Sequence, residues 1–338
     1  MKLVQKIGWA VLVAAAFFSC KPNRLKVDIS AIDETVKIVR FDQQLFALGS
    51  NPSTEQLAAL RTHNPDFADL FSWKIIRVGS LDDDSTTSLM HFFLTDTMVT
   101  HAKELVDKQF SDFRKIEKSL VQAFKYYRYH FPDKPFPVIY TCVSGFNQSV
   151  FTAENLIGVS LDKYLGADCI YYDLLGIPEY KQRKMYPARM VPDVMYAWAI
   201  TEFEISPAAT SVLDHIIHEG KLLYFTEAMM PAAPDSLKIG FTEKQLKWCK
   251  TNEAQMWTYL IEKNMLYSTK RMDIMRYVND GPYTNGFPLE SPGRTGVWIG
   301  WQIVRRYMEK HPEITLPELM RNPNYLQILN GSGYSPQN

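Results

Sequence analysis

Histidine and carboxylate side chains are the groups best suited to metal binding and acid–base work. This chain concentrates them in Asp214-His215-Ile216-Ile217-His218-Glu219-Gly220-Lys221-Leu222. On a helix, His215 and Glu219 stand one turn apart, and His218 lies three residues from His215, so the three are neighbours. Their surroundings are apolar: Val212, Leu213, Ile216, Ile217, Leu223 and Phe225. Polar groups on a buried helix need partners or they cost stability. A second predicted helix offers one, because Glu253 falls on the apolar stripe of Leu246, Cys249, Trp257 and Leu260. His218-Glu219 also opens the His-Glu-x-x-His pattern, in which two histidines hold zinc and the glutamate serves as base. The second histidine of that pattern is Leu222 here, and a leucine cannot bind zinc. His215-x-x-His218 does not restore the one-turn spacing, and no inverted pattern is present. The expectation is a vestigial cluster of His215, His218, Glu219 and Glu253, hydrogen-bonded and buried, with no metal and no catalytic role. A zinc site built from His215, His218 and Glu253 is the competing reading.

Other patterns carry less. Ser144-Gly145-Phe146-Asn147 is not a Gly-x-Ser-x-Gly elbow, and no phosphate-binding loop or dinucleotide fingerprint occurs. Gly296 and Gly300 fall inside a predicted helix, where they read as sites of close helix packing. Arg294, beside that helix start, could hold an anion but reads as a surface arginine. Trp298 and Trp301 read as core, and Tyr126-Tyr127-Arg128-Tyr129 as one end of a packed helix.

The N-terminus carries a different chemistry. Lys2 and Lys6 precede an apolar run from Ile7 to Phe18, followed by Ser19-Cys20. A run of about a dozen residues has signal-peptide length and is short of the roughly 20 that span a bilayer. A small residue before a cysteine suits a lipoprotein signal peptidase. The reading is a signal over residues 1–19, lipid on Cys20, a tether over 20–33 and a single mostly helical domain over 34–332. Lys21-Pro22-Asn23-Arg24 lacks an acidic cluster, which favours a lipid-anchored protein on the periplasmic side of the outer membrane.

Several elements must position these groups. Val36–Phe41 alternates and predicts a strand, with a helical turn over Asp42–Leu48. Helical signals then dominate from Ser53 to His130, with Asp82-Asp83-Asp84 as a solvated loop. Phe136–Cys142, Ser149–Thr152 and Asn155–Leu161 are β-rich and separated by turn residues. Helix returns from about Pro178: Ala209–Met229, then Thr242–Asn264 opened by a capping box, then a helix started by Ser291-Pro292. The fold class is α+β, mainly α-helical with a small antiparallel sheet.

Composition sets limits. The whole chain has 37 basic and 37 acidic residues, and removing Lys2 and Lys6 with the signal leaves 35 against 37. That balance gives no reason to expect nucleic acid. An aromatic content of 13% is enough for a sizeable core and excludes a disordered stalk. Cys142, Cys169 and Cys249 fit no zinc-knuckle spacing, and export would allow one disulfide. They read mostly as small buried side chains.

Several segments, taken in order, resemble the GldB-type gliding-motility lipoproteins of Bacteroidetes. They are Val39-Arg40-Phe41-Asp42 with Leu45-Phe46, Ile157-Gly158-Val159-Ser160-Leu161-Asp162-Lys163-Tyr164-Leu165-Gly166, and His218-Glu219-Gly220-Lys221-Leu222-Leu223-Tyr224-Phe225. Trp248-Cys249 with Asn252-Glu253 follows, and then Ser291-Pro292-Gly293-Arg294, Gly296 and Trp298-Ile299-Gly300-Trp301-Gln302-Ile303-Val304. The resemblance implies an envelope component associated with gliding and with linked secretion machinery, in contact with envelope protein partners. Such proteins also look like distant relatives of predicted zinc peptidases, which leaves a zincin-like fold open. The leucine at position 222 sets this chain apart from that activity.

Overall fold

The β-rich segments of the middle of the chain assemble with the first alternating run into one sheet. The computed structural model describes residues 23–337. Its strands are β1 (Ile38–Arg40), β2 (Val138–Cys142), β3 (Val150–Ala153) and β4 (Leu156–Ser160), in the order β1-β2-β4-β3. β1 and β4 both run parallel to β2, with Ile139 opposite Ile38 and Ile157. Only the β3–β4 hairpin is antiparallel, turning at Asn155 with φ 58°. The sheet expected to be antiparallel is therefore mixed. Short alternating runs look the same in either direction, and it is the long helical crossover after β1 that permits the parallel pairing.

The sheet has a core on each face because its side chains alternate. Ile139, Ile157 and Val159 point into the larger core, and Tyr140, Cys142, Phe151 and Leu156 into a smaller one. The smaller core is closed by the helices Phe41–Phe46, Thr54–His63, Pro65–Asp69 and Asp84–Thr95. The third of these runs into a π turn over Leu70–Ile75. Phe67 stacks on Tyr140 with ring centroids 4.3 Å apart, which fixes this layer to β2. Within the acidic run, Asp83 caps the Asp84–Thr95 helix through the Ser85 amide at 2.9 Å, and Asp82 pairs with Arg61 at 2.7 Å.

The larger core is organised around the helix Val212–Met229, called the central helix below, which is buried on nearly every face. It begins at Val212 because Ser211 caps it: the Asp214 amide donates to Ser211 Oγ, and Asp214 accepts from the Ser211 amide at 2.9 Å. Around it pack the helices Arg114–His130, Met190–Glu202, Thr295–Lys310 (the long C-terminal helix) and Tyr325–Ser332. The central and long C-terminal helices cross backbone to backbone. A Cβ on Gly300 would overlap the Ile216 carbonyl, one on Gly220 would overlap Gly300, and one on Gly296 would come within 2.8 Å of Ile216 Cγ2. Trp298 and Trp301, expected in the core, are buried there.

Besides the start at Val212 in place of Ala209, two helix boundaries differ from expectation. The predicted Thr242–Asn264 helix is two, Glu243–Thr251 and Glu253–Glu262, broken at Asn252. The Asn252 side chain donates to the Trp248 carbonyl at 2.8 Å and so competes with the backbone ladder. The helix predicted from Ser291-Pro292 starts only at Thr295, after Arg294 in the left-handed region at φ 53°. Thr284 holds the preceding loop, its amide donating to Ser291 Oγ and its hydroxyl to the Pro292 carbonyl at 2.8 Å.

The segment read as a tether lies on the domain from Asn23 onward. Leu25 and Val36 are buried in the larger core, with Val27 and Ile29 packed against it. The signal over residues 1–19 and Cys20 lie outside the described residues. Among the described residues no helix is long and apolar enough to cross a membrane. Cys142, Cys169 and Cys249 are all free, with the first and last buried.

Candidate functional site

The central helix carries His215, His218 and Glu219 as expected, but its geometry sends them to different neighbours. The Glu219 carboxylate accepts hydrogen bonds from Tyr196 Oη and from Arg294 Nη2, the latter at 3.3 Å. Arg294 Nη2 also donates to Tyr196 Oη at 2.8 Å, and the guanidinium lies over the tyrosine ring at 5.4 Å. Three elements therefore meet at one carboxylate: the Met190–Glu202 helix, the central helix and the turn before the long C-terminal helix. The left-handed backbone at Arg294 is what aims its side chain inward. Arg294 is no surface arginine; its side chain is 16% exposed, and the anion it holds is Glu219. Desolvation opposes its charge, but Tyr196, Glu219 and Asp280 together outweigh that and hold it firmly protonated. Burial, with the Glu219 charge alongside, pushes the Tyr196 hydroxyl up, so it stays a donor.

His218 faces the other side. Its Nδ1 lies 3.4 Å from Tyr325 Oη, and the two rings meet edge to face. Lys221, one turn on, is almost fully buried; its Nζ donates to the Asn322 carbonyl at 2.8 Å and sits 5.4 Å from the centre of the Tyr325 ring. Burial pulls His218 down to about 4, helped by the Lys221 charge, and pulls Lys221 down to about 8. His215 is half-buried, and burial lowers its pKa too.

Glu253 is held apart from both. It opens the Glu253–Glu262 helix, and its Oε1 accepts from Tyr334 Oη at 2.7 Å. Its partner is a tyrosine, where a histidine was expected. Glu219, His218 and Glu253 thus have separate hydrogen-bond partners, while His215 lies within electrostatic reach of both Glu219 and His218. Leu222, at the place of the missing histidine, is buried in the core. Among the described residues no group of three or more His, Cys, Asp or Glu side chains could hold a metal ion. The residues present do not fit a zinc site.

The residues missed from sequence are the partners: Tyr196, Tyr325, Lys221 and Tyr334. The tyrosines are remote in sequence from the groups they serve, and Lys221 carries no local signal of its burial. The block around Asp162 also finds its reason here. Asp162 is fully buried and accepts the amides of Ser144 (3.2 Å) and Phe146 (2.6 Å). Gly145 and Phe146 take φ of 67° and 64° to wrap that carboxylate. Ser144-Gly145-Phe146-Asn147 is thus the mould for a buried acid. A further joint ties Glu227 and Asp235 to Arg305, whose guanidinium lies 3.7 Å above the Trp301 ring.

These features define a class: a mainly helical α+β domain in which buried polar clusters act as joints between elements. The chain belongs to the gliding motility protein GldB family, whose model matches residues 22–336. No curated protein and no solved structure gives a significant match.

Proposed function

We propose that this protein is a non-catalytic, lipid-anchored component of the cell envelope, one that supports assembly of a motility apparatus and the secretion machinery linked to it. Lipid on Cys20 would hold it at the outer membrane facing the periplasm, in contact with other envelope proteins. Family membership and the N-terminal signal pattern support the setting. One observation carries the non-catalytic reading. Glu219, the carboxylate that a peptidase motif would use as its base, is engaged by Arg294 and Tyr196. A carboxylate already occupied by a guanidinium and a phenol hydroxyl is not free to position a water for attack.

The competing reading is a membrane-tethered hydrolase with zinc on His215, His218 and Glu253. Complementation of a deletion strain separates the two. His215→Gln touches a half-buried ring and leaves the joints intact, so it should restore motility or secretion fully. Loss of complementation by a His215→Gln protein with unchanged melting temperature and abundance, or stoichiometric zinc in protein purified without chelator, would sink the support reading.

A further inference from the structure

The chain meets the folded domain very close to the predicted lipid. Asn23 Nδ2 donates to the Pro231 carbonyl at 3.3 Å. Arg24 donates to the Met308 carbonyl and, at 3.1 Å, to that of Ile314, and Leu25 is buried in the larger core. Only Lys21 and Pro22 separate Cys20 from Asn23. Three Cα steps span at most about 11 Å. A lipid on Cys20 therefore cannot leave the neighbourhood of the surface that receives Asn23 and Arg24.

That surface has a composition suited to a bilayer boundary. Met230-Pro231-Ala232-Ala233-Pro234 is an uncharged turn with Ala232 and Pro234 exposed. Pressing it into headgroups desolvates no charge. His311-Pro312-Glu313-Ile314 flanks it on the Arg24 side, and Arg24 and Lys26, next along the chain from Asn23, are exposed cations. Basic side chains beside an apolar turn are attracted by anionic headgroups. Acids are present as well: Asp28, Glu309, the half-buried Asp235 that follows Pro234, and Glu313, which lies 3.2 Å from His311 Nδ1.

We propose that the face formed by Asn23, Arg24, the Met230–Pro234 turn and the His311–Ile314 turn lies against the phospholipid bilayer, and that the short connection to Cys20 holds it there. The domain then has one fixed orientation, and the envelope partners must bind its other sides. The proposal rests on lipidation of Cys20.

The test uses the full-length lipidated protein in phosphatidylethanolamine/phosphatidylglycerol vesicles carrying doxyl-labelled lipid. A fluorescent label is placed at Ala232→Cys, or at Phe92→Cys on the smaller core, in a Cys169→Ser background. Several-fold stronger quenching at position 232 than at 92 is expected. A Gly/Ser linker of about 20 residues after Pro22, with a reach of about 25 Å, should abolish the difference. Equal quenching at the two positions on folded, lipidated protein overturns the proposal. Quenching at 232 that survives the linker unchanged overturns the short connection as its cause. Mass measurement of the N-terminal peptide is read separately: absence of lipid there overturns anchoring at Cys20 and this inference with it.

Discussion

Burial pulls the His218 ring down to about 4, against 6.5 for a free histidine, and no carboxylate offsets it: its neighbours are Tyr325, Lys221 and His215. The folded protein therefore refuses a proton that the unfolded chain accepts. Above pH 6.5 this costs nothing, because the ring is neutral in both states. As the pH falls from 6.5 towards 4, the unfolded chain gains protons and the native state loses ground, by up to roughly 3 kcal/mol from this one ring. His130, also pulled down to about 4 by burial, adds in the same direction. Asp162 opposes them: burial pushes its carboxyl up to about 6, so its native form takes a proton first and is favoured as the pH drops through that value. The His218 contribution is isolated by substitution. His218→Gln should lose markedly less stability than the wild type between pH 7 and 4.5, measured by urea unfolding; equal losses would show that the ring is already charged in the native state. Lys221 titrates in a different window. Its pKa near 8 lies below the usual lysine value, so its penalty builds as the pH falls from 10.5 to 8 and is constant below.

The helices and strands that hold these groups were readable from sequence in unequal measure. The central helix was expected over Ala209–Met229, and β-rich composition between turn residues located the middle strands, because such signals are local. Ser211 and Asn252 moved boundaries through side-chain hydrogen bonds that no hydrophobic pattern records. Glu219 and His218 stood out as polar residues on a buried helix, and Arg294 as a possible anion holder, but nothing linked them, since Tyr196, Arg294 and Tyr325 arrive from other elements. The strand directions were hidden for the same reason. Glycines within helices, by contrast, pointed correctly to close packing. Gly158 repeats the device in the sheet, where a Cβ would overlap the ring of Phe151 on the neighbouring strand. At the helix crossing the consequence is sharp. Gly300→Ala would drive a methyl into the Ile216 carbonyl of the central helix, and two backbones cannot yield as a side chain can. A loss of about 3 kcal/mol or more is expected despite the better helix propensity of alanine. Arg306→Ala, on the exposed side of the same helix, should change stability by no more than about 0.5 kcal/mol. Thermal melting of the pair checks it, and a Gly300→Ala protein as stable as Arg306→Ala would refute the close crossing.

At the scale of the molecule, the sheet is what makes two cores one protein. β2 and β4 each send alternate residues to opposite faces: Ile139 and Val159 to the larger core, Tyr140, Cys142 and Leu156 to the smaller. Neither core can open without stripping one side of the same two strands. Arg40 reinforces the link, gripping Asp42 with two hydrogen bonds at 2.9 and 2.8 Å while Thr141 of β2 donates to the same carboxylate. The helices of residues 41–95 should therefore share the stability of the central helix, joined to its core through the sheet and through Phe46 and Phe93, which pack against both cores. The test is to damage one core and observe the other. Phe67 is fully buried and stacked on Tyr140, so Phe67→Ala should cost about 3–5 kcal/mol. Val159→Ala, from β4 into the larger core, should cost less, because fewer buried atoms are removed. With a shared fold, hydrogen exchange at the slowest amides of the 54–63 and 212–229 helices should accelerate together in each variant, and circular dichroism and tryptophan fluorescence should report one common transition. Loss of protection confined to residues 41–95 in Phe67→Ala would show that the smaller core unfolds by itself and that the sheet does not couple the two.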